Sequence, residues 1–293
     1  MNDLPQTERS NPESKGLDLL ATHDLVALLA AQQREAVEAV SACSDEIADV
    51  VDAIASRLRE GGRLHYVGAG TSGRLGTLDA AEMVPTFGTP PDLVCAHIAG
   101  GAAALTRAVE GAEDDAHAGE TEMRAHVQPR DAVIGISASG NAPYVVAALR
   151  TAQEIGAFTL ALVNAQPSAA QSAAERTIVL ATGAEPLTGS TRLKAGTAQK
   201  IALNTISTAV MIRLGKVYDN LMVDVVATNR KLRERALRLV RELANVDDAA
   251  ASDLLARSGG SVKVAVVMAA CGVDAERAKQ LLDERRGFLR DLL

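Results

Sequence analysis

The feature that most constrains the fold of this chain is a regular alternation of short apolar runs and helical segments through its middle. Near-continuous apolar runs are typical of parallel strands that are buried on both faces of a sheet. The segments at about 72–84, 101–126 and 143–155 have helical patterns and can form the crossovers between such strands. The sequence therefore predicts an α/β fold with a doubly wound, five-stranded parallel sheet. The predicted strands are RLHYVG from Arg63, DLVCAHI from Asp92, DAVIGIS from Asp131, FTLALVN from Phe158 and RTIVLAT from Arg176.

Helical patterns flank this region on both sides. Apolar residues recur at helical spacing over 22–58, and these helices are expected to cover the sheet. A helical pattern resumes at about residue 228, with breaks predicted at 251–252, at Gly259 and Gly260, and at Gly272. The predicted division is an N-terminal arm over 1–20, a sheet-containing domain with N-terminal helices over 21–225, and a small helical C-terminal domain over 226–293.

Charge and composition exclude several classes of protein. The chain has 293 residues, a formal net charge of -7 and only 2% aromatic residues, without any Trp. A dedicated nucleic-acid-binding protein would present a basic surface or aromatic residues that stack on bases, so nucleic acid is not an expected partner. A small anionic ligand is compatible with this charge, because a few backbone N–H groups and one cation can bind a phosphate locally.

The cysteines and the N-terminus favour a cytoplasmic protein. Cys43, Cys95 and Cys271 are far apart and have no metal-binding spacing, so they are expected to be buried, reduced thiols. The first residues, MNDLPQTERSNPESKG, lack the basic and then apolar pattern of a secretory signal. No apolar run approaches the ~20 residues of a membrane span. We therefore expect a cytoplasmic protein that has no membrane partner.

A glycine-rich turn follows the first predicted strand. The sequence GAGTSGRLG runs from 68 to 76 and precedes a helical pattern, so its N–H groups can face a phosphate at a helix N-terminus. The same glycines match the dinucleotide-binding pattern GxGxxG, but the second strand ends near His97, where that pattern requires an acidic residue. Phosphate binding is therefore favoured over dinucleotide binding. The ligand-binding residues predicted from this turn are Gly70, Thr71, Ser72 and Gly73.

Two further segments carry polar groups next to helix starts. SASGNAPY follows the third strand, and GSTRLKAGTAQK precedes a later helix. The carboxyl ends of the strands line the ligand crevice of an open α/β sheet, so Ser72 and Ser139 can share one phosphate or sugar. The second segment can surround an anion with hydroxyls, N–H groups and one or two cations. The serines can equally serve as helix caps. The predicted ligand-binding residues are Ser137, Ser139, Gly140 and Asn141 in the first segment and Ser190, Thr191 and Lys194 in the second.

Two carboxylates are candidates for acid–base chemistry. Glu82 lies in DAAEMVPTF, an apolar setting that favours the protonated form of a carboxyl group. Glu113 lies in VEGAEDD, where the simplest interpretation is that the acidic residues complement the start of a helix. The histidines have no metal-binding spacing, and His65, within a strand, is expected in the core. Nothing in the spacing places the two carboxylates together.

Five motifs, taken in order, resemble one family: TERSNPES, GAGTSGRLGTLDAAE, EGAEDD, ISASGNAPY and GSTRLKAGTAQK. Their combination resembles the N-acetylmuramic acid 6-phosphate etherases over nearly the whole chain. The resemblance implies a sugar isomerase (SIS) fold, a homodimer, a sugar-phosphate substrate, and neither a metal nor an organic cofactor. It also implies hydrolytic cleavage of the substrate's lactyl ether to N-acetylglucosamine 6-phosphate and D-lactate in cell-wall recycling. On this resemblance Glu82 is the proton donor and Glu113 the second catalytic acid.

One segment departs from the family pattern, which has Arg-Thr after ISASG where this chain has Asn141 and Ala142. A cation and a hydroxyl are missing there, so either phosphate affinity is weaker or Arg192 or Lys194 compensates. Two other functions stay open. A regulatory protein that binds a sugar phosphate and inhibits a kinase has similar motifs, but it has two SIS domains where this chain has room for one. An aldose–ketose isomerase would leave an ether intact.

Overall fold

A computed structural model describes residues 4–225 and 230–293 of the chain. At its centre is a five-stranded parallel sheet with the strand order β2-β1-β3-β4-β5. The predicted fold class and all five predicted strands are confirmed. The strands are β1 Leu64–Gly68, β2 Val94–Ile98, β3 Ala132–Ser137, β4 Phe158–Val163 and β5 Arg176–Val179.

Helices precede and connect these strands. The helical pattern over 22–58 is divided into three helices, whereas the predicted helix over 101–126 is wrong in its first half, where two 3-10 turns replace it. Gly100, Gly101 and Gly111 have positive φ angles, which interrupt a right-handed helix. The helices are α1 Thr22–Gln32, α2 Arg34–Ser41, α3 Ser44–Arg59, α4 Gly70–Phe87, α5 Ala116–His126, α6 Pro143–Ile155 and α7 Lys194–Arg213.

Helices on both faces bury the sheet. β1, β3 and β4 are buried along their whole length, as expected for strands that are covered twice. α3 packs on β4 and β5, while α6 contributes side chains such as Leu149 to the core around Val133. The apolar stripe of α3 explains its packing, since each of its members is at most 7% exposed: Ile47, Val50, Val51, Ile54 and Leu58.

The strand order opens a crevice beside β1. The chain leaves β1 for the edge strand β2 and then returns to the other side of β1 to form β3. The connections after β1 and β3 therefore diverge at the carboxyl edge of the sheet, and such switch points are where open α/β sheets bind ligands. The glycine-rich turn and the SASGNAPY segment, which follow these two strands, lie at this edge.

The described residues form two compact units. One comprises residues up to Ala80 together with Asp92–Ser207, and the other comprises Ala81–Pro91 together with the chain from Thr208 onward. The domain bounds predicted from the sequence remain a prediction, and the predicted helix start near residue 228 lies outside the described residues. The helices of the second unit are α8 Arg230–Ala244, α9 Asp248–Arg257, α10 Val262–Cys271 and α11 Ala275–Glu284.

The second unit has its own apolar core around α10. Every residue of α10 from Val262 to Met268 is buried, and the predicted breaks at 259–260 and at Gly272 are confirmed. The predicted burial of the cysteines is wrong for Cys271 at the end of α10, which is exposed, and the other two are half-buried. The break predicted at 251–252 is wrong, because α9 runs through it and buries Ala251. Its N-terminus is instead set by Asp247, whose side chain accepts a hydrogen bond from the Ala250 N–H.

Among the described residues, no single helix combines the length and apolar character that a membrane span needs. α9 and α10 together have enough length and apolar character, but they are bent by 110° relative to each other. α10 is mostly buried within the core of the second unit, which explains its apolar composition.

Candidate active site

The turn after β1 depends on glycine at two positions. A Cβ atom on Gly73 would lie 2.7 Å from the Gly68 carbonyl oxygen and 2.6 Å from Ile98 Cγ1. Both distances are too short for a side chain, so the backbone at Gly73 packs directly against the backbone at Gly68. Gly70, with a φ of +53°, begins α4 and is exposed. The turn thus presents its N–H groups at the start of a helix, as phosphate binding requires.

Ser72 is part of a buried hydrogen-bond chain. Its hydroxyl donates to Gln199 Oε1 at 2.8 Å, Gln199 Nε2 donates to Asn164 Oδ1 at 2.9 Å, and Asn164 Nδ2 donates to the Leu180 carbonyl at 3.0 Å. The chain connects the turn after β1 with α7 and with the end of β4. Because the hydroxyl proton of Ser72 is used inside the protein, only the backbone N–H of this residue remains to bind a phosphate.

The turn after β3 is organised by its own side chains. Ser137 Oγ accepts a hydrogen bond from the Gly140 N–H at 3.1 Å, and Ser139 Oγ accepts one from the Asn141 N–H at 3.2 Å. Asn141 Oδ1 accepts from the Ala169 N–H at 2.9 Å, which fastens the turn to the loop after β4. Both bonds lie within the turn, and the start of α6 has no side-chain cap hydrogen bond, so the interpretation of these serines as helix caps is wrong. Each hydroxyl still has a proton that it can donate to a ligand.

The GSTRLKAG segment lies against the turn after β1. A Cβ atom on Gly196 would be 3.3 Å from the Thr191 carbonyl oxygen and 3.4 Å from Thr71 Cγ2. Two of the predicted ligand-binding residues, Thr71 and Thr191, are thus neighbours across Gly196. The sequence offered no spacing from which this proximity could be inferred, since 119 residues, from 72 to 190, separate the two threonines.

Lys194 is paired within the protein. Its side chain is only 2% exposed, and its Nζ donates to Glu35 Oε2 at 2.6 Å and to Gln32 Oε1 at 3.4 Å. The buried Glu185 accepts hydrogen bonds from the N–H groups of Lys194 and Ala195, both at 2.9 Å, and so caps α7. Both the ammonium group and the helix N-terminus are occupied by carboxylates, and a role of Lys194 in phosphate binding remains a prediction.

The N-terminal arm contributes to the same region. Asn11 Nδ2 donates to Gln32 Oε1 at 2.8 Å and to the Ala184 carbonyl at 3.2 Å. Gln32 Nε2 in turn donates to Glu13 Oε2 at 2.6 Å. The TERSNPES motif therefore fastens the arm to α1 and to the chain just before α7. This role of the motif was not predictable from its sequence, because its partners Gln32 and Ala184 lie far along the chain.

Glu113 lies beside the turn after β1. It lines a cavity of about 150 Å3 together with Gly70 and Arg74, and its side chain is exposed. The structure thus brings a predicted catalytic residue next to a predicted phosphate-binding turn. Arg74 was not among the residues predicted from the sequence, although it directly follows the glycines of GAGTSGR.

Glu82 is exposed on α4, so the apolar setting predicted for its carboxyl group is wrong for the single chain. The adjacent Met83 and, further along α4, Phe87 are each 4% exposed and supply the buried side of this part of the helix. Consecutive helical positions point about 100° apart, which leaves Glu82 on the outer side. Apolar neighbours in the sequence therefore did not mean apolar neighbours in space.

A buried polar chain extends from β1 to α5. The Nδ1 atom of His65 is 3.0 Å from His97 Nε2, and its Nε2 atom is 3.2 Å from Asp131 Oδ2. His97 Nδ1 is 2.8 Å from Glu122 Oε1. Burial, followed by the charge of His97, lowers the pKa of His65 to about 4, and burial also lowers the pKa of His97. The prediction that His65 is a core residue is confirmed, since it is 0% exposed.

His97 and Glu122 also line a second cavity, of about 520 Å3, beside β2, together with Tyr144. Burial, and then the charge of Glu122, raises the pKa of Tyr144 to about 12. Within the described ranges, no group of three or more His, Cys, Asp or Glu side chains could hold a metal ion.

Comparison with known proteins identifies the family. Residues 46–153 match the family model described as the glucokinase regulatory protein N-terminal SIS domain, and residues 108–209 match the SIS domain. A protein from Prochlorococcus marinus named N-acetylmuramic acid 6-phosphate etherase is 51% identical over 98% of this chain and 91% of its own length. One of the same name from Deinococcus radiodurans is 49% identical over 100% of this chain and 96% of its own length. The chain belongs to the N-acetylmuramic acid 6-phosphate etherase family.

The fold of this etherase family member is also found among solved structures. A phosphoheptose isomerase from Francisella tularensis aligns with a TM-score of 0.52 at 18% identity, covering 66% of this chain and all 100% of the isomerase. At that identity the likeness concerns the fold alone. The five-stranded sheet of the etherase is therefore an SIS fold, as the resemblance implied.

Proposed function

We propose that this chain hydrolyses the D-lactyl ether of N-acetylmuramic acid 6-phosphate, giving N-acetylglucosamine 6-phosphate and D-lactate. The observation that carries the proposal is that relatives named for this activity are 51% and 49% identical to this chain over nearly its full length. The position of Glu113 beside Gly70, at the carboxyl edge of the sheet, supports it. Amino-sugar recycling is the process that this reaction serves.

The mechanism that we propose is elimination of lactate followed by addition of water. In the open-chain sugar the aldehyde acidifies the C2 proton, a base removes that proton, and the C3–O bond breaks as an acid protonates the departing lactate oxygen. Water then adds at C3 of the unsaturated aldehyde, and C2 regains a proton. Glu82 is assigned as the acid and Glu113 as the base, for C2 or for the water. Each proton transfer is worth ~10²- to 10⁴-fold in rate.

Phosphate binding is assigned to the two turns at the switch point and the neighbouring segment. Backbone N–H groups are the main donors in the turn after β1, because the hydroxyl of Ser72 already donates to Gln199. Ser137 and Ser139 still have hydroxyl protons to donate. The complete set of proposed binding residues is Gly70, Thr71, Ser72, Gly73, Ser137, Ser139, Gly140, Asn141, Ser190, Thr191 and Lys194.

A cytoplasmic homodimer is part of the proposal. A phosphorylated sugar is charged and is retained where it is formed, so an enzyme acting on it belongs in the same compartment. The N-terminal helices expose apolar side chains that a second copy would cover, for example Val26 at 60% and Val37 at 54% exposure. The exposed Glu82 is likewise compatible with a site that dimerisation encloses.

The test is to incubate the purified protein with N-acetylmuramic acid 6-phosphate in water labelled with 18O and deuterium. Mass spectrometry should find D-lactate without 18O, and N-acetylglucosamine 6-phosphate with 18O at C3 and deuterium at C2. If 18O is found in the lactate instead, water attacks the lactyl carbon, which contradicts elimination. No lactate from this substrate, together with a ketose formed from an aldose 6-phosphate that has a C2 hydroxyl group, would favour an isomerase.

The regulatory function is a second candidate, because residues 46–153 match the N-terminal SIS domain of a glucokinase regulatory protein. Binding of the sugar phosphate without any lactate release would favour it.

A further inference from the structure

The cavity beside Glu113 has a size that fits only part of a substrate. Its volume is about 150 Å3, whereas pockets that enclose a whole drug-sized ligand have roughly 300–1,000 Å3. An amino-sugar phosphate with its lactyl ether is a ligand of that larger size. The cavity is therefore suited to one substituent of the substrate, with the remainder extending along the carboxyl edge of the sheet.

The lining of this cavity combines small apolar side chains with one guanidinium group. Of the described residues that line it, Arg74 alone is positively charged, while Glu110 and Glu113 are acidic. The apolar part of the lining consists of Ala69, Ala99, Ala104, Ala108, Val109 and Ala112. A substituent that carries both a methyl group and an anion matches this lining. The lactyl group has a methyl and a carboxylate on the same carbon, and a phosphate has no apolar part.

Arg74 has donors available for an anion. Its Nη2 donates to the Arg107 carbonyl oxygen at 3.1 Å, and among the described residues no carboxylate forms an ion pair with it. A guanidinium has five N–H donors in a planar fork, so one such contact leaves enough for a bidentate bond to a carboxylate. Arg74 also lies in the first turns of α4, whose positive end attracts anions.

The neighbouring Glu113 indicates which of the two substrate anions is present here. Under the proposed function, on which this inference rests, Glu113 acts at C2 or on the water that attacks C3. The lactyl carboxylate is attached to the carbon that bears the C3 ether oxygen, whereas C4, C5 and C6 separate the phosphate from C3. We infer that Arg74 binds the lactyl carboxylate and that this cavity is the lactyl subsite. When lactate leaves, the water that adds at C3 enters the same space, next to Glu113.

The experiment compares two ligands and two variants. The ligands are N-acetylmuramic acid 6-phosphate and its lactyl carboxamide, in which the lactyl group is neutral but has the same shape. Wild-type kcat/KM should be about 10- to 100-fold higher for the acid, the range expected for a charge-assisted hydrogen bond. Arg74→Gln, which keeps a donor for the Arg107 carbonyl, should lower kcat/KM for the acid by that factor and change the value for the carboxamide by less than about 3-fold. Arg107→Gln is the matched control, because its side chain does not line the cavity, and it should behave as wild type.

Three results would overturn the assignment. The first is equal wild-type kcat/KM for acid and carboxamide, which needs no variant and so does not depend on the folding of Arg74→Gln. The second is loss of affinity for N-acetylglucosamine 6-phosphate in Arg74→Gln by calorimetry, because that ligand has no lactyl group and the loss would place the phosphate at Arg74. The third is equal calorimetric affinity of the wild-type protein for acid and carboxamide, which would reject the subsite even if the protein releases no lactate. Absence of lactate release by itself rejects the proposed function only, and a 10-fold higher affinity for the acid in that case would still support the subsite.

Discussion

Replacing His65 by Gln is expected to remove much of the acid sensitivity of the folded chain. His65 is wholly buried between His97 and Asp131, and its pKa is lowered from an ordinary 6.5 to about 4. The unfolded chain therefore binds a proton at His65 between these two pH values, while the folded chain does not. Stability from this group is fully present above about pH 6.5 and is lost as the pH falls towards 4.

The magnitude follows from the two pKa values. Linkage with 6.5 in the unfolded chain and about 4 in the folded chain gives a loss of about 2 kcal/mol in the free energy of unfolding between about pH 7.5 and about pH 5. Burial also lowers the pKa of His97, so His97 adds to the loss of stability in the same direction. The pKa of Asp131 is lowered as well, since hydrogen bonds from the N–H groups of Gln128 and Arg63 outweigh its burial. Its contribution is lost only below its ordinary value of 3.8, outside this window.

Urea unfolding followed by circular dichroism at the two pH values measures the difference. The loss of stability between them should be about 2 kcal/mol smaller in His65→Gln than in the wild type. His23→Gln is the matched control, because the His23 side chain is 92% exposed, and its loss should equal that of the wild type. Equal losses in His65→Gln and the wild type would refute the reasoning, even if the variant is less stable at both pH values.

Three further changes have defined outcomes. Glu82→Gln should leave the circular dichroism spectrum and sugar-phosphate affinity unchanged but lower lactate release by ~10²- to 10⁴-fold; wild-type turnover would refute its role as proton donor. Gly73→Ala places a methyl group 2.7 Å from the Gly68 carbonyl oxygen, whereas Gly196→Ala has no neighbour closer than 3.3 Å, so Gly73→Ala should have the far lower Tm, and equal values would contradict the close backbone contact. Glu185→Ala leaves two N–H groups of α7 without their acceptor, and urea titration should show a loss of about 2 kcal/mol; a loss below about 0.5 kcal/mol would rule out the cap.

The sheet was predictable because its signal is local. An apolar run such as DAVIGIS is buried on both faces wherever it lies in a parallel sheet, so composition alone identified β3. The structure of the segment 101–126 was not predictable from composition, because its alanines favour a helix. Glycines with positive φ angles prevent that helix until Ala116. The break placed at 251–252 failed for a related reason, since Ala251 is a core residue of α9 and not a point of interruption.

The site was predictable only in its segments. The turn after β1 and the GSTRLKAG segment were each identified from their glycines and hydroxyls, but their contact at Gly196 is a tertiary one. The expected availability of Lys194 could not be judged from sequence, because its partner Glu35 lies on α2, far along the chain. Arg74 was not predicted, because the glycines and hydroxyls beside it in GAGTSGR were sufficient to indicate a phosphate-binding turn.

The backbone contact between Gly68 and Gly73 limits how this site can be redesigned. Because no side chain fits between them, the backbone of the turn that we propose to bind the phosphate is fixed, and it would serve any sugar phosphate equally. A change of substrate must therefore come from the side chains around it, such as Arg74 and Asn141. Directed evolution of this chain should tolerate libraries at those two positions and reject nearly every variant at the two glycines.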